Sequence, residues 1–167
     1  MAFPLVLPNR FDLAICTEVA EHVKRESAAI LVESLAQAAD VIAFGAAIPM
    51  QGGHGHINEQ WPSYWRALFA KSGYQAYDIV RPVHWSDREI HYWYRQNMFV
   101  YVKDTNTVAV SIAKELSNCP SEALFDAVLP EKFEEVASYE SISFGRLMRR
   151  LPSWVSMRVQ SKLLGKG

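Results

Sequence analysis

The sequence lacks the features that mark several classes of protein. Its 167 residues include only two cysteines, Cys16 and Cys119, so we expect no disulfide framework and predict a reducing, cytoplasmic compartment. No apolar run reaches the ~18 residues of a membrane span, and residues 1–8 lack the basic leader of a signal peptide. Because 17 lysines and arginines nearly balance 18 aspartates and glutamates, we expect no overall attraction to nucleic acid or to a membrane.

The apolar residues that are present follow the patterns of an α/β domain. Half of the chain is hydrophobic, which is enough to bury one core. Residues 11–17 predict a strand, 18–37 predict a helix by their spacing, and 41–44 predict a second, parallel strand. The other predicted elements are a helix at 61–72 and strands at 74–80 and 98–102, while residues 90–94 are ambiguous.

The character of the chain changes from about residue 108. Pro120 and Pro130 interrupt short helical patterns, and residues 146–166 are basic. We therefore predict an α/β domain over 1–107 and a helical extension over 108–167. The apolar face of the basic segment is expected to consist of Leu147, Met148, Leu151, Trp154, Val155 and Val159.

Glu18, Glu21 and His22 are candidate metal ligands. Positions i, i+3 and i+4 fall on one face of a helix, here in the first predicted turn after a strand. Two carboxylates and an imidazole suit magnesium or manganese, or zinc in a tighter geometry. In the alternative interpretation, the acidic residues only favour the helix N-terminus and the histidine is partly exposed.

A glycine-rich loop, residues 49–61, follows the second predicted strand at the sheet edge where ligands bind in open α/β folds. His54 or His56 is expected to supply a fourth metal ligand there, although the two histidines could also form a separate small metal site of their own. The loop lacks the lysine and the Ser/Thr of a phosphate loop. Its other polar residues are candidate substrate contacts: Gln51, Asn58 and Glu59.

The middle of the chain is rich in aromatic residues. We expect most of these side chains to form core and the rest to line a substrate pocket beside arginines and amides. Tryptophans beside arginines also occur where single-stranded nucleic acid binds, but no basic stripe accompanies them, so nucleic acid is not expected. The remaining predicted substrate contacts are Trp61, Trp65, Arg81, Arg95 and Asn97.

Several blocks of the sequence resemble one enzyme family. FDLAICTEVAEHV, residues 11–23, is similar to the fourth strand and following helix of class I S-adenosylmethionine-dependent methyltransferases. Residues 43–65, 73–85 and 93–97 resemble successive blocks of a bacterial methyltransferase-domain family. The resemblance covers about 11–102. It implies the C-terminal half of a Rossmann-like sheet, with strands four to seven mostly parallel and the last antiparallel.

The resemblance also implies a chemistry. The E-x-x-E-H motif is similar to the metal-binding motif of methyltransferases that modify the terminal ribose of small RNAs and of ubiquinone-pathway O-methyltransferases. It implies Glu18, Glu21, His22 and His56 as metal ligands, with His54 in reserve and with His22 and His56 as catalytic residues. A metal held there would lower the pKa of a substrate hydroxyl and orient it toward S-adenosylmethionine. The expected substrate is a small hydroxyl-bearing molecule.

The donor-binding half of that family is missing. The sequence has no G-x-G-x-x-G, and only ten residues precede Phe11. We therefore expect a truncated or partial enzyme, or a second chain that completes the sheet at its apolar edge. One alternative is a non-catalytic substrate-binding or regulatory partner of a complete methyltransferase. Another is a metal-dependent hydrolase with the same four ligands around a metal-bound water.

Overall fold

A four-stranded mixed sheet organises the chain in the computed structural model, which describes residues 4–5, 7–117 and 125–138. The strand order is β1-β2-β4-β3. β2 is parallel to β1, and β4 runs antiparallel to both β2 and β3. The predicted α/β class is therefore confirmed. The strands are β1 (Ala14–Thr17), β2 (Val41–Gly45), β3 (Tyr74–Tyr77) and β4 (Phe99–Lys103).

Six α-helices accompany the sheet in the described residues. A first compact unit runs to Leu129, so it includes α5, which the sequence pattern assigns to the extension and which packs against β4. α6 begins the second unit. None of the described helices is long and apolar enough to cross a bilayer. The predicted apolar face in 146–166 lies outside the described residues. The helices are α1 (Ala28–Ala38), α2 (Pro62–Lys71), α3 (Arg81–His84), α4 (Tyr92–Asn97), α5 (Thr107–Leu116) and α6 (Pro130–Ala137).

The prediction of a helix from residue 18 is wrong at its start. Glu18 follows β1 with a left-handed backbone, φ 54°, and its amide donates to the Gly45 carbonyl at 3.1 Å. The chain thus stays tied to β2 beyond the strand end and cannot yet enter a helix. Two 3-10 turns, Ala20–His22 and Arg25–Ser27, separate Glu18 from α1.

Aromatic side chains fill the core between the sheet and α2. The rings of Phe69 and Tyr101 stack with centroids 3.9 Å apart, and Trp65 lies 5.1 Å from Phe44. Trp65 is only 2% exposed. The sequence pattern predicts Trp65 as a substrate contact, but the structure shows that it is buried in the core. The reason is that Trp65 shares the inward face of α2 with Phe69.

β1 forms one edge of the sheet. On this strand and just before it, apolar side chains are exposed: Ile15 is 68% exposed and Leu13 48%. Cys16, the next residue along β1, is buried in the core, as the alternation of a strand requires. No strand pairs with the outer side of β1 among the residues that the structure describes.

The ends of three strands meet at one edge of the sheet. β1 and β2 are parallel, so the turn after β1 and the loop after β2 emerge side by side. β4 is antiparallel to β2, so it begins at this same edge, directly after α4. Strand direction alone therefore brings residues 18–22, 46–61 and the end of α4 into one neighbourhood.

Candidate metal centre

The floor of the site is the carboxyl group of Glu21. The side chain is 0% exposed and, apart from the Glu18 carboxyl group beside it, neither of its oxygens has a hydrogen-bond partner among the described residues. Its backbone carbonyl, by contrast, accepts from the amides of Ile57 and Asn58 at 2.9 and 3.0 Å. An uncompensated buried carboxylate costs several kcal/mol. Both oxygens are thus available to a cation, whose charge would offset that cost.

Two histidines converge on this carboxyl group. One ligand atom each from Glu21, His22 and His56 lie within 4.8 Å of one another. The imidazole rings meet edge to face, with centroids 5.0 Å apart. Glu21 is buried, His56 is partly buried and His22 is exposed. The cluster is therefore buried on the Glu21 side and open to solvent on the His22 side.

The hydrogen bonds of the two rings define which nitrogens are free. Nδ1 of His22 lies 3.1 Å from the Gly55 carbonyl oxygen, and Nδ1 of His56 lies 3.0 Å from Oε1 of Glu59. Because both oxygens can only accept, Nδ1 must donate in each ring, and the Nε2 lone pair of the neutral ring stays available. Metal-binding histidines characteristically donate their second nitrogen to a carbonyl or carboxylate in this way.

Glu18 lies against Glu21. Burial, then the charge of Glu21, then a hydrogen bond with Glu21, raise the pKa of Glu18 to about 7. That hydrogen bond needs a proton on one of the two carboxyl groups, so it is lost when both ionise and the Glu21 oxygens are then unpartnered. The left-handed backbone of Glu18 adds strain of about 1 kcal/mol.

The donor set fits a divalent cation. Two carboxyl groups and two imidazole nitrogens suit manganese, magnesium or zinc. The structure brings Glu21, His22 and His56 together and puts Glu18 beside Glu21. His54 is exposed and lies outside the cluster, so His56 is the loop histidine of this site. Metal binding itself stays a prediction.

The loop after β2 packs closely around His56. Glu59, a predicted substrate contact, accepts from the amides of Met50 and Gly52 at 2.9 and 2.8 Å, as well as from His56. A Cβ on Gly53 would overlap the His56 ring, so only glycine leaves room for the ring in this position.

Buried amide side chains connect this loop to the start of β4. Asn97 donates to Oε1 of Gln51 at 2.9 Å, and the same oxygen accepts from the Ile48 amide at 3.2 Å. Gln96, one of the amides expected beside a substrate pocket, donates to Asn97 and accepts from the Leu129 amide at 2.7 Å. Its only signal in the sequence was its position between Arg95 and Asn97. Asn58 is also buried, with Nδ2 3.4 Å from the Ala20 carbonyl.

The two arginines predicted to contact substrate instead make hydrogen bonds and an ion pair within the protein. Arg81 pairs with Asp78 at 2.7 Å and donates to the Phe125 carbonyl at 3.0 Å. Arg95 donates to the Ile90 and Trp85 carbonyls at 3.1 and 2.7 Å. Both are buried. Trp61, in contrast, is 38% exposed at the N-terminus of α2 and is accessible to a ligand.

Comparisons of the chain with protein-family models, with curated proteins and with solved structures find no match. The chemistry of the site thus rests on its own residues. A buried carboxyl group, a second carboxyl group beside it and two imidazoles with available Nε2 atoms can hold a divalent cation with one side open. Such a site can bind and polarise an oxygen of a substrate or of water.

Proposed function

We propose that this chain is the metal- and substrate-binding half of a metal-assisted class I O-methyltransferase that acts on a hydroxyl of a small molecule. The observation that carries the proposal is the convergence of the buried Glu21 carboxyl group, which no N–H donor of the described residues reaches, with His22 and His56. The sheet supports it, because β4 is antiparallel to its neighbours, as the resemblance implies for the last strand.

In the proposed site, some residues would hold the ion and others leave it accessible to the substrate. Glu18, Glu21, His22 and His56 would hold the ion, which supplies a Lewis acid that lowers the pKa of a substrate hydroxyl. Buried Glu21 fixes the negative charge at the floor of the site. The exposure of His22 leaves an open side, from which a substrate hydroxyl would reach the ion held by His22 and His56. Trp61 lies exposed just before the start of α2 as a candidate substrate contact.

The described residues provide ligands for a metal ion but no recognisable binding site for the methyl donor. The turn after β1 is Glu18 followed by Ala20–His22, without the glycines of a donor-binding turn. We therefore place S-adenosylmethionine on another polypeptide segment that adds a strand along the exposed edge of β1. Because Glu18 directly follows β1, one end of an added strand would lie beside the metal ligands.

Calorimetric titration with Mn²⁺, and separately with S-adenosylmethionine, tests the proposal. We expect the wild type and the control Glu33→Gln, which changes an exposed glutamate on α1, to bind Mn²⁺ alike. Glu21→Gln should weaken binding at least 100-fold, or about 2.7 kcal/mol. A wild-type chain that binds no Mn²⁺ at millimolar concentration would overturn the proposal.

The same samples separate the alternatives. We expect S-adenosylmethionine to bind the chain alone no more tightly than about 1 mM. Tighter binding would show that the chain forms its own donor site. Metal-dependent ester hydrolysis without a donor, lost in Glu21→Gln, would indicate a hydrolase instead. Metal-independent substrate binding would indicate a non-catalytic partner.

A further inference from the structure

We infer that Glu59 is a positioning residue of the metal centre, which keeps the His56 ring in the tautomer and orientation that present Nε2 to the ion. This inference rests on the proposed metal site. It replaces the expected substrate contact of Glu59, because both carboxylate oxygens are already engaged within the loop. Glu59 would not touch the ion or the substrate and would act through His56.

The geometry around Glu59 is that of a carboxylate held from several directions. Oε2 accepts from the Met50 amide, while Oε1 accepts from both the Gly52 amide and Nδ1 of His56. Met50 and Gly52 both have left-handed backbones, φ 69° and 71°, and their two amides converge on this one side chain. The side chains of His56 and Glu59 are only 11% and 20% exposed, so water competes weakly for these bonds.

The carboxylate determines the tautomer because it has no proton to give. If the proton of the neutral His56 ring moved to Nε2, the Nδ1 lone pair would face a negatively charged oxygen at 3.0 Å. That arrangement is repulsive, so the proton stays on Nδ1. The His22 ring is held in the same way by the Gly55 carbonyl, independently of Glu59, and it therefore serves as an internal reference.

Replacing Glu59 by glutamine keeps its volume but not its bonding. One side of a carboxamide is an NH2 group, which would face an amide N–H or the N–H of His56. At least one of the three hydrogen bonds is then lost. Glu59→Ala removes all three. The two variants form a graded pair, with glutamine as the partial change if alanine destabilises the loop.

The first measurement is made without metal. Long-range ¹H–¹⁵N spectra of ¹⁵N-histidine-labelled protein in EDTA, at about pH 8.5 where imidazoles are mostly neutral, report the tautomer of each ring. We expect Nδ1–H at both His22 and His56 in the wild type and in Glu33→Gln. In Glu59→Ala, and partly in Glu59→Gln, His56 should become a tautomer mixture while His22 keeps Nδ1–H. A folded Glu59→Ala in which His56 keeps Nδ1–H overturns the inference.

The second measurement is the Mn²⁺ affinity of the same proteins. Loss of a group that orients a metal-binding histidine typically lowers affinity 10- to 100-fold, and we expect that loss in Glu59→Ala but not in Glu33→Gln. Unchanged affinity in Glu59→Ala also contradicts the positioning role. If the wild type shows the expected tautomers but binds no Mn²⁺, the proposed function fails, while the hold of Glu59 on His56 stands on the spectra.

Discussion

Replacing Glu18 by glutamine should stabilise the metal-free chain at neutral and higher pH. The pKa of Glu18 is raised from its ordinary 4.5 to about 7, first by burial and then by the charge of Glu21. Each pKa unit corresponds to about 1.4 kcal/mol, so the ionised side chain costs at most ~3.5 kcal/mol. Because Glu18 is only partly buried, solvent screening reduces this to about 1.5 kcal/mol. Glutamine removes the charge and thus the cost.

The sign of the effect depends on pH. Below about pH 4.5, Glu18 is protonated in both the folded and the unfolded chain, and the substitution should have little effect. As the pH rises from 4.5 to about 7, the unfolded chain ionises first, and the wild type loses stability relative to Glu18→Gln. Above pH 7 the difference is complete.

Thermal unfolding in EDTA measures this difference. At pH 8 we expect the Tm of Glu18→Gln to exceed that of the wild type by roughly 3–6 °C, and at pH 4 we expect the two to coincide. Saturating Mn²⁺ should reverse the order, because binding at 100 times Kd adds about 2.7 kcal/mol to the protein that binds. A lower Tm for Glu18→Gln in EDTA at pH 8 would refute the reasoning that burial and the charge of Glu21 make ionised Glu18 costly.

Three further substitutions test the site and the core. His56→Ala should lower Mn²⁺ affinity at least tenfold, and the exposed His54→Ala should not, so equal losses in calorimetry would argue against the assignment of the loop ligand. Gly53→Ala should displace the His56 ring and weaken Mn²⁺ binding, whereas Gly52→Ala, whose Cβ meets no atom, should only strain the loop, and the two are compared by the same titration. Trp65→Ala should cost roughly 3–5 kcal/mol in urea unfolding, and a cost below about 1 kcal/mol would mean that this ring is not core.

The regular elements could be predicted where local signals bound them. The expected strand at 41–44 is observed at Val41–Gly45, and the expected helix at 61–72 is observed at Pro62–Lys71, between its N-terminal proline and Gly73. The helix start at residue 18 could not be predicted. It is prevented by the bond from Glu18 to Gly45, which joins residues far apart in sequence. The observed α4, Tyr92–Asn97, is rich in aromatic residues that also favour strands, which made residues 90–94 ambiguous.

The sequence predicted which residues form the candidate site better than it predicted how they are arranged. Parallel strands end at the same edge, and this was sufficient to expect Glu21, His22 and a loop histidine together. The residue pattern left His54 and His56 open, and only the family resemblance favoured His56, because the choice depends on the glycine backbone around them. The role of Glu59 depends on two left-handed residues in the loop, which no residue pattern indicates.

The register between β1 and β2 carries a consequence for the fidelity of folding. Their pairing runs from Ala14 opposite Ile42 to Thr17 opposite Gly45, and Glu18 comes immediately after it. A slip of one residue in a strand turns every side chain to the opposite face of the sheet. Such a slip would expose Cys16, bury Ile15 and displace Glu18 from its hydrogen bond with Gly45. A misregistered chain should therefore lose the proposed metal site, so Mn²⁺ binding would report whether this edge strand has paired correctly.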